Sequence, residues 1–267
     1  MMTNKKIWLA LWWGATKWFV HIGVIKYLQE QGYEITSIAG TSIGAIIGTL
    51  LAAGIGYQQI TQHAKLLNYR DLIDIDFGTW LVKGDKIITK IKDIVWDITF
   101  ADLDIPLCII ATSINTGQEK VFNSWSVLDA IRCSMSLPGI FSLVSSTDLQ
   151  DWYVDGGLVN SLPVSHVDMD IADQIVAVSC MWLASFDQTS KKTFMGVEID
   201  TSRWTLPKKI LMRSHYIMMA RNEDLELVQH TDVQLIRPEL EHISSFDLDV
   251  VDTAIQIGYD EARRVLN

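Results

Sequence analysis

A serine becomes a nucleophile when its hydroxyl is held on a tight turn beside a proton acceptor, and the segment Gly40-Thr41-Ser42-Ile43-Gly44 has that form. It is a G-x-S-x-G pentapeptide lying where an apolar run, Tyr33 to Ala39, gives way to a small-residue helical pattern from Ile43 to about Ala53. On such an elbow the residues two positions to either side of the serine must be small, and the helix behind it points its positive end at developing negative charge. The pentapeptide alone is equally compatible with a plain strand-to-helix connection whose serine caps the helix. A second reactive group stands at Asp155, in Asp155-Gly156-Gly157 after the short run Trp152-Tyr153-Val154. A carboxylate within hydrogen-bond reach of a serine hydroxyl can take its proton as the oxygen attacks an ester carbonyl, while Asp-Gly is also a common turn pair. His166, His215, His230 and His242 all follow Asp155, so any of them would complete the chain order Ser, Asp, His of an α/β-hydrolase triad. Against that order, only two predicted strands precede Ser42, which is early for that fold. His21 reads as a packed helix residue, and no cluster of His, Cys, Asp or Glu has metal-ligand spacing. No metal and no cofactor are expected.

The elements that must position these groups alternate between strand and helix. Ile7 to Leu11 is a compact apolar strand, and Phe19, Ile22, Val24, Ile25 and Leu28 give the segment Phe19 to Gln31 a helical stripe that ends at Gly32. Lys86 to Val95 is amphipathic. Pro106 opens the buried strand PLCIIATSI, and Asn115 to Gly117 reads as the turn into Glu119 to Phe122. Helices are predicted over Val127 to Met135, Lys208 to Gln229 and Leu248 to Leu266, with strands at Ile175 to Ser179 and Val233 to Ile236. Buried strands separated by helices imply an α/β fold of three layers, a mostly parallel sheet with helices on both faces. Ala184 to Trp204 has the weakest apolar periodicity and is the candidate loop or lid.

Composition narrows the setting. With 267 residues, 49% hydrophobic and 20% charged, the chain can bury a large core, and one domain over residues 1–267 is the expected organisation. The net charge of −10 repels phosphate backbones and anionic head groups, which argues against a general nucleic-acid binder. Membrane contact would have to be hydrophobic or local. Cys108, Cys133 and Cys180 are odd in number and sit in apolar runs, as reduced core cysteines do in a cytoplasmic protein. From Ile35 to Ala64 there is no charged residue, yet that stretch is rich in Gly, Ser and Thr, which fits a buried strand, turn and helix better than a membrane span. The expected location is the cytoplasm, with transient, peripheral contact at a membrane surface at most.

Several stretches taken together resemble the patatin-like phospholipases of the short bacterial type: FVHIGVIKYL, IAGTSIGAIIGTLLAAG, SMSLPGIF around Pro138, YVDGGLVNSLPV and the closing IQIGYDEA. The resemblance runs from about Lys6 to the last helix. It implies a patatin-like α/β fold and a Ser–Asp dyad, with Ser42 as nucleophile and Asp155 as its base, cleaving lipid or other acyl esters through a seryl acyl-enzyme. It also implies that the loop Trp12-Trp13-Gly14-Ala15-Thr16-Lys17-Trp18 supplies backbone N–H groups to an oxyanion hole, each donor worth ~10²–10³ in rate. Two rival expectations stay open: a catalytically inactive relative that keeps the fold as a lipid-binding or scaffold protein, and an esterase using a late histidine.

The chain departs from this family at its tryptophans. Trp12, Trp13 and Trp18, and also Trp80, Trp96, Trp125 and Trp152, stand where the family has glycine; restoring it turns LALWWGATKW into LALGGGATKG. A loop whose backbone must approach a substrate suits glycine and is poorly served by indole rings. The one-directional exchange is what results when a gene that uses UGA for glycine is translated with a table that reads UGA as tryptophan. On that reading all ten tryptophans are glycines in the native protein.

Overall fold

Strand β1 (Lys6–Leu11) shows why the sheet must be covered on both sides: Ile7 to Leu11 are all buried, and successive strand residues face opposite ways. The computed structural model describes residues 5–12, 15–67, 69–76, 78–79, 81–146, 151–166, 171–181, 192–194, 197–199, 206–240 and 250–267. After β1 and a 3₁₀ turn at Ala15–Trp18 come α1 (Phe19–Gln31), β2 (Glu34–Thr41), α2 (Ile43–Ala52) and α3 (Tyr57–Leu66). A two-residue pair, β3 (Ile75–Asp76) with β4 (Leu81–Val82), leads to α4 (Asp85–Val95) and then β5 (Leu107–Ser113), β6 (Glu119–Phe122) and α5 (Val127–Ser134). The chain continues through β7 (Val144–Ser146), β8 (Asp151–Asp155), β9 (Gln174–Val178), the antiparallel pair β10 (Lys192–Phe194) and β11 (Val197–Ile199), α6 (Leu206–Gln229), β12 (Val233–Ile236) and α7 (Val250–Leu266).

The main sheet runs β12-β9-β1-β2-β5-β8-β7, with β6 also on β5. Its first five strands are parallel, and the antiparallel pairs are confined to the end around β5, β6, β7 and β8. The expected α/β architecture, a mostly parallel sheet between helices, is what the chain adopts. Helices α2 and α5 pack on β5, and α1 packs on α7, which reaches β12. The α1–α7 crossing explains why two glycine-containing stretches at opposite ends of the chain belong together. A Cβ on Gly23 would lie 1.9 Å from the Ile255 carbonyl oxygen, and one on Gly258 would lie 2.2 Å from that of Val20. Only glycine lets the two backbones approach so closely.

The predicted elements fall on observed ones, with shifts of one or two residues at most ends. Helix α3, strand β7 and the pairs β3–β4 and β10–β11 were not among them: these strands are two or three residues long, and α3 lies in the stretch without acidic or basic side chains, where its pattern merges with the preceding helix. The proposed lid from Ala184 to Trp204 lies mostly outside the described residues, and the part inside is the β10–β11 pair. Cys133 and Cys180 are buried, Cys108 half-buried, and all three are free.

The tryptophans behave unequally. Trp96, the residue closing α4, has φ 64° and ψ −163°, and Trp125, just before the cap of α5, has φ 80°. Trp96 is 79% and Trp125 39% exposed. These are backbone conformations that glycine adopts freely and a bulky residue does not. Trp18, by contrast, has φ −59°, open to any residue, so backbone conformation gives no reason for glycine there. Trp8 and Trp12 are fully buried and Trp152 lies exposed in β8, while Trp13, Trp80, Trp182 and Trp204 lie outside the described residues.

Candidate active site

Where β2 ends, the chain turns through Ser42 at φ 58° and ψ −122° before α2 begins. The glycines of the pentapeptide make this turn sterically possible. A Cβ on Gly40 would meet the Gly44 carbonyl oxygen at 2.6 Å, and one on Gly44 would meet that of Leu11 at 2.1 Å. Thr41 is buried with its hydroxyl donating to the Asn160 carbonyl at 3.1 Å, and Ile43 starts the helix. The strained serine is then fixed from both sides. Its N–H donates to Ser134 Oγ at 2.8 Å, and its hydroxyl donates to Asp155 Oδ2 at 2.6 Å.

Asp155 ends β8, the antiparallel strand beside β5, and this placement brings it to the serine. Its N–H donates to the Ser136 carbonyl at 3.1 Å, and its own carbonyl accepts from the Thr112 hydroxyl at 2.9 Å, so the backbone is held in place. The second carboxylate oxygen accepts the Gly157 N–H at 2.8 Å, and a Cβ on Gly156 would lie 2.3 Å from the Ile110 carbonyl oxygen. Burial without a neighbouring cation pushes the Asp155 carboxyl up to about 7, while the Ser42 and Gly157 donors pull it back. Near neutral pH it can therefore both accept and return a proton.

Ser134 was not among the predicted site residues, although it opens the SMSLPGIF stretch. Its hydroxyl donates to the Ile110 carbonyl at 2.5 Å and accepts from the Ser42 N–H, locking the elbow to β5. Nothing in its local pattern distinguishes it from any helix serine. Only the packing of α5 against β5 assigns it a task.

The loop before α1 is in part at odds with the expectation. Trp12 N–H donates to the Val178 carbonyl at 3.1 Å, extending the β1–β9 pairing by one residue, so it is not a free oxyanion donor. Its ring is fully buried and the indole Nε1 has no hydrogen-bond partner among the described residues. Trp13 and Gly14 lie outside the described residues. Ala15 begins the 3₁₀ turn, Lys17 donates from Nζ to the Leu240 carbonyl at 2.9 Å, and buried Trp18 packs on Phe19 with ring centroids 4.3 Å apart. Burial lowers the Lys17 ammonium below its usual range.

Among the described residues no histidine bonds to the serine. His166 is bonded through Nε2 to Glu119, a carboxylate that is also bound by Asn160 Nδ2 at 2.7 Å. His230 lies 4.0 Å from Glu226, and His21 is fully buried with Nδ1 3.5 Å from Cys180 Sγ, burial bringing it down to about 4. His215 has no partner for Nδ1 among the described residues, and His242 lies outside them. Among the described residues the Asp155 carboxylate, occupied by Ser42 and Gly157, orients no imidazole.

A family model described as patatin-like phospholipase matches residues 14–168, a stretch containing both Ser42 and Asp155. An uncharacterised NTE family protein of Mycobacterium tuberculosis is 31% identical over 182 residues, which cover 66% of this chain and 49% of that protein. Patatin-like phospholipase domain-containing protein 7 of Mus musculus is 26% identical, covering 100% of this chain and 21% of that protein. The chain thus spans about half the length of the mycobacterial relative and about a fifth of the mouse one. Among solved structures, VipD from Legionella pneumophila shares the fold with a TM-score of 0.53 at 14% identity, covering 98% of this chain and 66% of that one.

Proposed function

The chain belongs to the patatin-like phospholipase family, and from that membership we propose that it is a serine acyl hydrolase that cleaves lipid acyl esters with Ser42 and Asp155 alone. The observation that carries the reading is the 2.6 Å bond from the Ser42 hydroxyl to a buried carboxylate, made on a strained elbow with no histidine between them. Ser42 Oγ attacks the ester carbonyl carbon as Asp155 Oδ2 takes its proton. The tetrahedral intermediate collapses, the C–O bond to the alcohol breaks, and the alcohol leaves with the proton from Asp155. Water then attacks the acyl-enzyme, again giving its proton to Asp155, and the acid departs as Ser42 recovers its hydrogen. Negative charge on the carbonyl oxygen is met by the N-terminus of α2 and by N–H groups of the loop after Trp12, whose own N–H is already used. On this reading the protein works in the cytoplasm and reaches lipid at a membrane surface. The inactive-relative reading is set against it by one experiment. Wild-type protein should hydrolyse a chromogenic short-chain ester and take up a fluorophosphonate probe, and Ser42→Ala should do neither. Labelling that persists in Ser42→Ala sinks the nucleophile assignment, and a wild type inert in both assays favours the inactive relative.

A further inference from the structure

Ser42 and Asp155 arrive from separate segments, the ends of β2 and β8, and one buried residue outside the reacting pair is bonded to both segments: Asn160. Its N–H donates to the Gly156 carbonyl at 2.9 Å, one position after Asp155. Its carbonyl accepts from the Thr41 hydroxyl at 3.1 Å, one position before Ser42. The backbone of a single residue therefore joins the two catalytic segments at the positions adjoining the reacting side chains.

The side chain of Asn160 is held in its turn. Nδ2 donates to Glu119 Oε2 at 2.7 Å and to Ser165 Oγ at 3.1 Å, which uses both amide hydrogens. The other Glu119 oxygen is bonded to His166 Nε2, so that carboxylate is gripped on both sides. Burial pushes the Glu119 carboxyl up, but the His166 and Asn160 donors outweigh it and hold it below the usual carboxylate range. The bond to Glu119 raises the His166 imidazole against the effect of burial, with Glu226 of α6 adding to the rise. Glu119 begins β6, which pairs with β5, and β5 pairs with both β2 and β8. Asn160 is thus referred to the same sheet that carries both catalytic segments. Its Oδ1 is buried without a hydrogen-bond partner among the described residues, and a side chain present for packing alone would carry no such idle oxygen.

We propose that Asn160, gripped through Glu119 and His166, is a positioning residue that sets the distance between Ser42 and Asp155. A proton transfer across 2.6 Å tolerates little slack, a misplacement of about 1 Å costing ~10² in rate. The inference rests on the hydrolase reading for its effect on turnover, and its test lets the two fail separately. Asn160→Asp places a carboxylate where Nδ2 meets Glu119, so the two acids must separate or share a proton. Adding Glu119→Gln restores the bond with its polarity reversed, the new amide donating to the new carboxylate and keeping its oxygen for His166. With circular dichroism showing each variant folded, Asn160→Asp should lower kcat for a soluble ester by ~10² with KM changed by less than about twofold, and the double variant should recover at least about tenfold of that loss. Ser165→Ala, the mildest change, should lower kcat about threefold. A folded Asn160→Asp with the wild-type kcat, a loss that lies in KM, or a folded double variant as slow as Asn160→Asp would overturn the assignment; should Asn160→Asp not fold, an unchanged kcat in Ser165→Ala would do so. A wild type that neither turns over ester nor takes up a fluorophosphonate probe removes the hydrolase reading, and the positioning role is then read by NMR titration of the Asp155 carboxyl carbon. Ser42→Ala takes away the serine donor and should raise the midpoint from about 7. Asn160→Ala should raise it in the same direction by a smaller amount, because a displaced hydroxyl donates more weakly, and a folded Asn160→Ala with an unchanged midpoint would overturn the positioning role.

Discussion

Three described residues other than glycine hold a positive φ, and they divide into two kinds of region. Ser42 is surrounded by causes: glycines packed to contact on both sides, Ser134 on its N–H, Asp155 on its hydroxyl. Trp96 and Trp125 are held by less. The Trp96 ring stands in solvent and its N–H makes only a helix-end bond, to the Lys92 carbonyl, while the partly exposed Trp125 accepts from Phe100 N–H through its carbonyl, beside the bridge between Thr99 and Ser126. Strain that the surroundings over-determine marks a working residue; strain with nothing to enforce it marks a side chain that does not suit its backbone. The φ 64°, ψ −163° of Trp96 lies in a region essentially reserved for glycine, and that agrees with the reading of the tryptophans as glycines.

The contrast can be broken from either side, and the largest effect is expected at Ser42. Ser42→Gly removes the nucleophile, so ester turnover should fall by at least ~10⁴. Its stability combines relief of the positive φ with loss of the bond to the buried Asp155, two effects of opposite sign. Next is Asp155→Asn, which keeps the hydrogen-bonding shape but cannot take a proton, and should cost ~10²–10⁴ in turnover.

The same Asp155 substitution carries a stability signature of opposite sign. The folded carboxyl titrates at about 7 and the unfolded one near 3.9, so between these values the folded state binds the extra proton and stability falls as pH rises. Asp155→Asn should therefore match wild type below about pH 4 and exceed it by ~4 kcal/mol above about pH 7. Equal stabilities across that range would show that burial does not oppose the charge.

Replacing Trp12, Trp13 and Trp18 with glycine together should raise turnover by at least ~10², the value of one recovered donor. Because Trp12 N–H is already bonded, the gain should come mainly with Trp13→Gly, and a series of single variants checks this. Below neutrality, turnover should fall about tenfold per pH unit as Asp155 takes up its proton, and level off above about 7; a midpoint near 4 would place another group in control. The smallest effects concern Trp96→Gly and Trp125→Gly, each expected to add ~1–2 kcal/mol of stability by thermal unfolding. If these positions are glycines in the source organism, the gene has UGA there and the native mass falls below 30.2 kDa. UGG codons, or a native mass matching the written sequence, end that reading and leave Trp96 and Trp125 as strained tryptophans.

How much could be read in advance differed from residue to residue. The elbow was legible because a positive φ at Ser42 and contact distances at Gly40 and Gly44 restrict residue type locally, and G-x-S-x-G is the trace of that restriction. Strands such as Ile7 to Leu11 were legible because burial on both faces leaves an unbroken apolar run. Ser134 was not, since its task is set by a partner 92 positions away. The loss of the Trp12 N–H to Val178 was equally hidden, because a strand can extend by one residue without any change in pattern.

By itself, the sequence determined the fold class through periodicity and marked Ser42 through the local steric demand of the elbow, while the pairing of Ser42 with Asp155 was legible only through the resemblance carried by several separate stretches. The tertiary structure alone decided that the Ser42 hydroxyl bonds directly to Asp155, residues separated by 113 positions, and that His166 and His21 are engaged elsewhere. It also decided that α6 turns one apolar face to the site and the other to solvent. Spacing along a chain constrains what neighbours can do, whereas a hydrogen bond depends on a distance of a few ångströms that only the packing of β8 and α5 against β5 sets.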